Sequence, residues 1–326
     1  MLSSRRYYLV ALFMSVFTLL ACRGAEAQLK GHYVPGFTGL QNGSQGSPAV
    51  TLVLPLFFYT TDTLKDSSGD VLGAHPRINS SFLGPALFWV TNVKLFGGNL
   101  GGQVLPLAFM KARIEGPSLD VPGSFKFTDV FVSPLQLGWE TPRADYVASW
   151  GFFAPTGKWE FGGDDNGGLG MWSHDFQAGT TVRLDNKRAW TASLLGTYEI
   201  HSKKSDTDIK VGDILTFEGG LGKSFYKKVD GTPIPRITTV GLAYYGQYKL
   251  SADSIGPGGT RLFDDRKDRV FGIGGEVSVF LPKPKVLIDL RVIPEFGAVN
   301  RTEGLTFMVT LACQARSLVK TPRGHA

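Results

Sequence analysis

The sequence predicts an all-β protein, a transmembrane antiparallel β-barrel, and three observations lead to this prediction. The chain begins with the features of an export signal, and no later apolar run is long enough for a transmembrane helix. Segments typical of strands are apolar at every second position. Glycine is abundant, at 41 of 326 residues, and aromatic residues reach 12%, a composition that favours strands and turns over long helices.

The first 27 residues have the layout of a secretory signal peptide. Two arginines precede an uncharged apolar run, 7–21, and Ala25-Glu26-Ala27 forms an A-x-A cleavage site. The run has about 15 residues, fewer than the roughly 20 that a membrane-spanning helix needs. A competing site, Leu19-Leu20-Ala21-Cys22, resembles a lipoprotein processing site. Lipidation of Cys22 is therefore the alternative to cleavage after Ala27.

Cleavage after Ala27 would lower the formal net charge from +6 to +4, because the signal carries three basic residues and one acidic residue. The remaining basic residues are scattered and gather near turns, which is typical of a solvated surface and argues against nucleic-acid binding. Cys313 is then the single cysteine, so an intramolecular disulfide and a Cys-based zinc site are excluded. We expect no cofactor and no metal site.

Period-two alternation is clearest in five segments, and it places apolar side chains on one face of each. A soluble β-sandwich alternates as well, so segment length is the better discriminator. Segments of about 9 to 15 residues exceed the usual 5 to 6 of soluble strands and suit strands that cross hydrocarbon. Aromatic residues lie at several segment ends, as in the girdles of membrane barrels. The five segments are 172–184, 190–200, 215–225, 286–296 and 305–311.

The connections between segments alternate in length, as expected of a barrel with both termini in the periplasm. We count twelve strands after residue 47, and ten or fourteen also fit the pattern. Two connections fit poorly, because 227–236 is long for a periplasmic turn and 300–303 is short for an external loop. The long connections are 62–78, 115–124, 157–168, 201–212 and 254–268, and the short ones are 92–97, 141–144, 185–188 and 282–285.

These assignments divide the chain into a signal peptide (1–27), an N-terminal segment (28–47), the barrel (48–315) and a C-terminal tail (316–326). The N-terminal segment lacks sustained alternation, and a loose tail is the simplest interpretation. It nevertheless carries five apolar or aromatic groups among its glycines, and a free periplasmic tail has little reason to expose them. Burial inside the barrel as a partial plug is the alternative. The five groups are His32, Tyr33, Val34, Phe37 and Leu40.

Short motifs along most of the mature chain resemble the outer-membrane family named for the meta-pathway of phenol degradation, a set of transporters. The motifs are GHYVPG at 31–36, DVFVSPLQLGW at 129–139, APTG at 154–157, GLGMW at 168–172 and GLAYYGQ at 241–247. The resemblance implies a barrel concerned with the uptake of aromatic or other hydrophobic compounds. It brings no catalytic site and does not identify a substrate.

Three charged residues of one alternating segment are the candidate solute-binding residues. Asp289, Arg291 and Glu295 lie opposite an apolar face that begins at Val286, so they should face water in the lumen. The reverse orientation would place an arginine in lipid, at a cost of about 2 to 4 kcal/mol near the midplane. We therefore predict that these three residues line the pore.

The sequence gives little support for an enzyme. Ser173-His174-Asp175 has the residue types of a catalytic triad, but neighbours on a strand point to opposite faces and cannot form a relay. The pair Asp164-Asp165 lacks the ligand spacing of a calcium loop. We expect three of the other histidines, His32, His75 and His201, at surface positions.

The expected function is an outer-membrane channel or transporter for small hydrophobic or aromatic solutes. Its expected partners are outer-membrane lipid, the solute and, during biogenesis, the barrel-assembly machinery. Two alternatives stay open at this point. One is a soluble or lipid-anchored periplasmic β-protein, for which Cys22 would provide the anchor, and the other is an outer-membrane hydrolase or acyltransferase.

Overall fold

A computed structural model describes residues 30–73, 76–116, 119–121, 123–163, 166–256, 258–261 and 268–318. The predicted signal peptide with Cys22, His75, the Asp164-Asp165 pair and the residues after 318 lie outside these ranges. In the described part of the chain, no helix is long and apolar enough to cross a membrane.

Eighteen β-strands make up the regular structure of the described residues. The first nine are β1 (Ala49–Leu64), β2 (Arg77–Leu83), β3 (Ala86–Leu95), β4 (Gly98–Leu105), β5 (Phe109–Gly116), β6 (Leu119–Val121), β7 (Lys126–Phe127), β8 (Val130–Glu140) and β9 (Ala144–Ala154). The others are β10 (Ser173–Arg183), β11 (Trp190–His201), β12 (Ile214–Lys227), β13 (Arg236–Lys249), β14 (Ser254–Ile255), β15 (Thr260–Arg261), β16 (Arg269–Leu281), β17 (Val286–Val299) and β18 (Thr302–Ser317).

The strands form one closed antiparallel barrel, because β18 pairs with β1 along its length. The wall has twelve strand positions, and this confirms the predicted fold class. Closure pairs the edge strands, and in hydrocarbon it leaves no backbone edge without hydrogen-bond partners. The last strand runs to Ser317, two residues beyond the predicted end of the barrel at 315.

Two wall positions are each shared by two shorter strands. β1 pairs with β2 through residues 56–61 and with β3 through residues 49–53, and Gly84-Pro85 separates the two partners. Residues 106–108, which begin with a proline, separate β4 from β5 in the same way. Proline cannot donate to a ladder, so both interruptions follow from the local sequence.

The two ends of the barrel differ in the length of their connections, as predicted. One end carries the loops after β1, β5, β9, β11 and β13, together with the tight turn between β17 and β18. The other end carries the shorter turns after β3, β8, β10, β12 and β16, and both β1 and β18 meet this end. Short turns are periplasmic in outer-membrane barrels, so the loop end is the external end.

The outer face of the wall is apolar and the inner face is polar. Phe176 and Leu242 point outward and are 46% and 52% exposed, whereas Asp175 and Glu218 point inward and are buried. This is the predicted alternation of these strands. Apolar groups on the outside of a closed barrel suit hydrocarbon, so the protein is a transmembrane barrel of the outer-membrane type and not a soluble periplasmic protein.

Candidate functional site

Residues 30–47, which precede the first strand, lie inside the barrel. His32, near the external end, contacts Ser173 at the start of β10. Ser44, near the periplasmic end, donates to Asp145 Oδ2 at 2.7 Å. The segment therefore runs along the lumen before the chain enters the wall at Ala49.

Inward-facing glutamates accept the backbone N–H groups of this segment. Glu199 on β11 accepts from the N–H of His32 at 2.6 Å and from that of Tyr33 at 3.3 Å. Glu276 on β16 accepts from the N–H of Leu40 at 3.1 Å. The segment has no regular strand that would satisfy its backbone, so the carboxylates of the wall take that role through charge-assisted hydrogen bonds.

Glu218 on β12 makes the largest set of these contacts. Its carboxylate accepts from the N–H of Gly36 at 2.8 Å and from the hydroxyl of Tyr33 at 2.5 Å. The N–H and the hydroxyl of Thr38 also donate to it. One fully buried carboxylate thus fixes three residues in the middle of the segment.

Arg291 joins the wall to the same segment. Its Nε donates to Glu276 Oε2 at 2.7 Å, and its Nη2 donates to Asp289 Oδ1 at 3.2 Å. Its Nη1 donates to the carbonyl oxygen of Gly36 at 2.7 Å. Arg291 and Asp289 are both on the inner face, but Arg291 is buried against the segment and Asp289 against Arg291, whereas we expected them to face open water.

Glu295, the third candidate residue, is also on the inner face. It accepts hydrogen bonds from the hydroxyls of Tyr59 and Tyr245 and from the N–H of Gly304, each at 2.8 Å. These partners lie on β1, β13 and β18. Glu295 therefore ties wall strands together near the point of closure. Contact of the three candidate residues with a solute stays a prediction.

His32 is held on both sides of its ring. Its Nδ1 lies 2.7 Å from Ser173 Oγ and its Nε2 lies 2.7 Å from Asp129 Oδ2. The ring stacks on Phe153, with centroids 4.6 Å apart and planes inclined by 10°. The surface position expected for His32 is wrong, because its side chain is only 6% exposed. His201 is also buried, with Nε2 3.1 Å from Glu199 Oε1.

Asp129, between β7 and β8, is positioned by the external loop that follows β9. The N–H groups of Gly157 and Leu169 donate to its two carboxylate oxygens at 2.8 and 2.7 Å. Lys204 from the next external loop donates a hydrogen bond from Nζ to the carbonyl oxygen of Leu169 at 2.6 Å. Burial lowers the pKa of the Lys204 ammonium, and the charges of Asp129 and Asp253 oppose that shift.

Ser173, His32 and Asp129 have the residue types of a hydrolytic triad at hydrogen-bond distances, but the arrangement differs from one. In a serine hydrolase the serine contacts Nε2 and the carboxylate holds Nδ1, whereas the two nitrogens are exchanged in this cluster. Ser173 is also completely buried. The adjacent His174 points outward, and its ring lies nearly parallel to that of Trp150 with centroids 6.1 Å apart. Ser173, His174 and Asp175 therefore form no relay.

The lumen also contains a carboxylate without a hydrogen-bond partner among the described residues. Asp175 lies directly opposite Glu199 in the register of β10 and β11, and both side chains are about 1% exposed. Within the described ranges, no group of three or more His, Cys, Asp or Glu side chains could hold a metal ion.

The sequence profile of one protein family, described as "Putative MetA-pathway of phenol degradation", matches residues 61–311. The chain belongs to this family. The match starts within β1, so the N-terminal segment lies outside the matched residues. None of the curated proteins that were compared matches the chain.

Two solved structures illustrate how similar the fold is to known barrels. The COG4313 outer membrane channel from Pseudomonas putida F1 has a TM-score of 0.70 at 16% identity, covering 86% of this chain and 99% of that one. The β domain of the Bordetella autotransporter BrkA has a TM-score of 0.48 at 12% identity, covering 81% and 99%. The first likeness supports the fold, and the second is too low to support any argument.

Proposed function

We propose that this protein is an outer-membrane channel for small hydrophobic or aromatic solutes and that its N-terminal segment is a removable plug. The observation that carries the proposal is the position of residues 30–47, bonded through the lumen from Ser173 at one end to Asp145 at the other. A twelve-strand barrel is wide enough to hold or pass a small solute once such a segment moves. The resemblance to a structure described as an outer membrane channel is consistent with this role.

The bonds between plug and wall suit reversible docking. The described residues of the segment form no β-ladder with the wall, and their strongest contacts are hydrogen bonds to carboxylates. Water can replace such bonds, so each contributes only about 1.5 to 3 kcal/mol net. Release of the segment would therefore break polar contacts without opening the barrel sheet.

The candidate residue Arg291 then acts first as a docking point for the plug, and Asp289 accepts a hydrogen bond from its guanidinium. Arg291 bonds Gly36 in the plugged state and would face the lumen when the segment leaves. A solute could contact it only after that change. Aromatic side chains of the inner face, such as Phe131 and Phe153, supply the apolar contacts that a hydrophobic solute requires.

Deletion of residues 30–46, with the signal and its cleavage site retained, tests the proposal. We expect a larger single-channel conductance in planar bilayers, faster uptake of small aromatic solutes into cells, and sensitivity to bulky antibiotics. Heat-modifiability on gels, the change in mobility of a folded barrel on boiling, would confirm that the barrel still assembles. Unchanged conductance and uptake in a correctly assembled deletion variant would show that the segment is only a tail.

A further inference from the structure

The ring of His32 occupies a slot that is built mainly by the wall. Phe131, Phe153 and Ser173 follow one another across β8, β9 and β10 in the pairing register. Phe153 forms the floor, and Phe131 packs against it with centroids 4.6 Å apart and planes inclined by 42°. Asp129 closes one side of the slot, and its carboxylate is fixed by two backbone N–H groups of the external loop.

The wall therefore has a flat aromatic floor with a hydroxyl and a carboxylate at its edges. Stacked rings are stabilised beyond the burial of their area, and hydrogen bonds to a carboxylate are stronger than neutral ones. Both carboxylate contacts of Asp129 with the loop are independent of His32. The slot should keep its shape when His32 is absent.

Histidine enters this slot from a segment that has no ladder with the wall. An imidazole ring is planar and aromatic and carries a hydrogen-bond donor on its edge. A phenol-like solute shares all three properties, so it could stack on Phe153 and donate its hydroxyl to Asp129. An aromatic hydrocarbon would gain the stacking alone, and an aliphatic alcohol would gain the hydrogen bond alone.

We propose that the slot formed by Phe131, Phe153, Ser173 and Asp129 is a binding site for a planar aromatic solute with a hydrogen-bond donor, and that this solute displaces the ring of His32. The proposal rests on the proposed function, because it requires a plug that can move. It makes His32 an internal mimic of the solute. Entry of the solute would then loosen the external end of the plug.

The ring of His32 is a tethered competitor, and it lowers the apparent affinity of the slot for a free solute. A ring attached to a docked segment acts at an effective concentration in the millimolar range or above, so a free solute binds the wild-type protein weakly. His32→Ala removes this competitor, while the N–H of residue 32 can still bond Glu199 and keep the segment in place. We expect the affinity for phenol to increase about tenfold or more.

Calorimetric titration of purified wild-type and His32→Ala barrels tests the proposal with three probes: phenol, toluene and cyclohexanol. Only phenol combines the ring with the donor, so it should show the largest gain in the variant. Each probe also partitions into detergent, and comparison with the wild-type protein removes this contribution because it is the same in both titrations. Ser44→Ala is the matched control, because it removes a hydrogen bond at the other end of the segment and leaves the slot occupied. It should show no gain for any probe.

Adding Phe153→Leu to His32→Ala should remove most of the gain, about fivefold, because the stacking floor is lost. Wild-type protein with 15N-labelled histidine offers a test that does not depend on a variant. Phenol should shift the ring signal of His32 at lower concentrations than toluene does.

Equal gains in affinity for all three probes, or a gain in phenol affinity below threefold, would overturn the proposed binding site. A His32 ring signal that does not shift when phenol is added would also overturn it. Failure of the slot is separable from failure of the channel. If deletion of 30–46 raises conductance but phenol shows no gain, the slot is wrong and the plug stands. If phenol binds selectively but the deletion changes nothing, the channel proposal fails instead.

Discussion

The two sides of the lumen hold the N-terminal segment by different forces. On the side of β10 to β17, the segment meets buried carboxylates and Arg291 through charge-assisted hydrogen bonds. On the side where the wall strands are interrupted, Phe37 of the segment meets Phe82 of β2 edge to face, with centroids 6.1 Å apart. Among the described residues, hydrogen bonds therefore fasten the segment to the continuous wall, and an aromatic contact packs it against the interrupted wall.

This difference indicates which contacts contribute most to keeping the segment docked in the lumen. Hydrogen bonds to charged groups contribute about 1.5 to 3 kcal/mol each, whereas one edge-to-face aromatic pair contributes about 0.5 to 1.5 kcal/mol. The charged side should thus govern whether the segment stays in the lumen. Substitutions on the two sides test which set of contacts holds the segment more strongly.

Arg291→Gln should have the largest effect. It leaves Glu276 without its buried ion-pair partner and removes the bond to Gly36, so we expect a loss of about 3 to 5 kcal/mol in stability. Chemical unfolding of the purified barrel, followed by its heat-modifiability, would measure the loss. Arg113→Gln is the matched control, because that arginine pairs with Glu115 at the exposed surface and its loss should cost less than about 1 kcal/mol. Similar losses in both variants would contradict the central role of the charged side.

Glu218→Gln should release the segment with a smaller effect on the barrel itself. The amide of glutamine keeps the size but offers one oxygen acceptor to donors from Tyr33, Gly36 and Thr38. We expect docking to weaken by about 1.5 to 3 kcal/mol, which is roughly a tenfold to hundredfold rise in the open to closed ratio. Single-channel recording gives this ratio directly. An unchanged ratio would mean that Glu218 does not hold the plug.

The sequence predicted the strands of the wall better than the contacts inside the lumen, and the reason is physical. Alternation along one strand reveals which side chains share a face, so the inward position of Arg291 and the outward position of Phe176 were predictable. The partners of a lumen segment are distant in the chain. His32 meets Asp129, Ser173 and Glu199 across 97, 141 and 167 positions, and only barrel closure brings them together.

The interruptions of the wall were predictable only in part. Gly84-Pro85 and Pro106 are visible in the sequence as residues that disturb a ladder. Their consequence was not predicted, because each interrupted stretch lies between two predicted connections and was counted as one strand. The number of wall positions was therefore predicted correctly, while the division of two of them into shorter strands was missed.

Phe82→Leu should have the smallest effect on the segment. Leucine keeps an apolar side chain at this inner-face position and loses the edge-to-face contact with Phe37, so we expect docking to weaken by no more than about 0.5 to 1.5 kcal/mol. The open to closed ratio in single-channel recordings should rise less than in Glu218→Gln. Phe58→Leu is the control, because Phe58 points outward from β1 and lies near Phe307 on the lipid-facing side. It should leave the ratio unchanged. A larger effect for Phe82→Leu than for Glu218→Gln would reverse the comparison, since packing against the interrupted wall would then hold the segment more strongly than the carboxylates do.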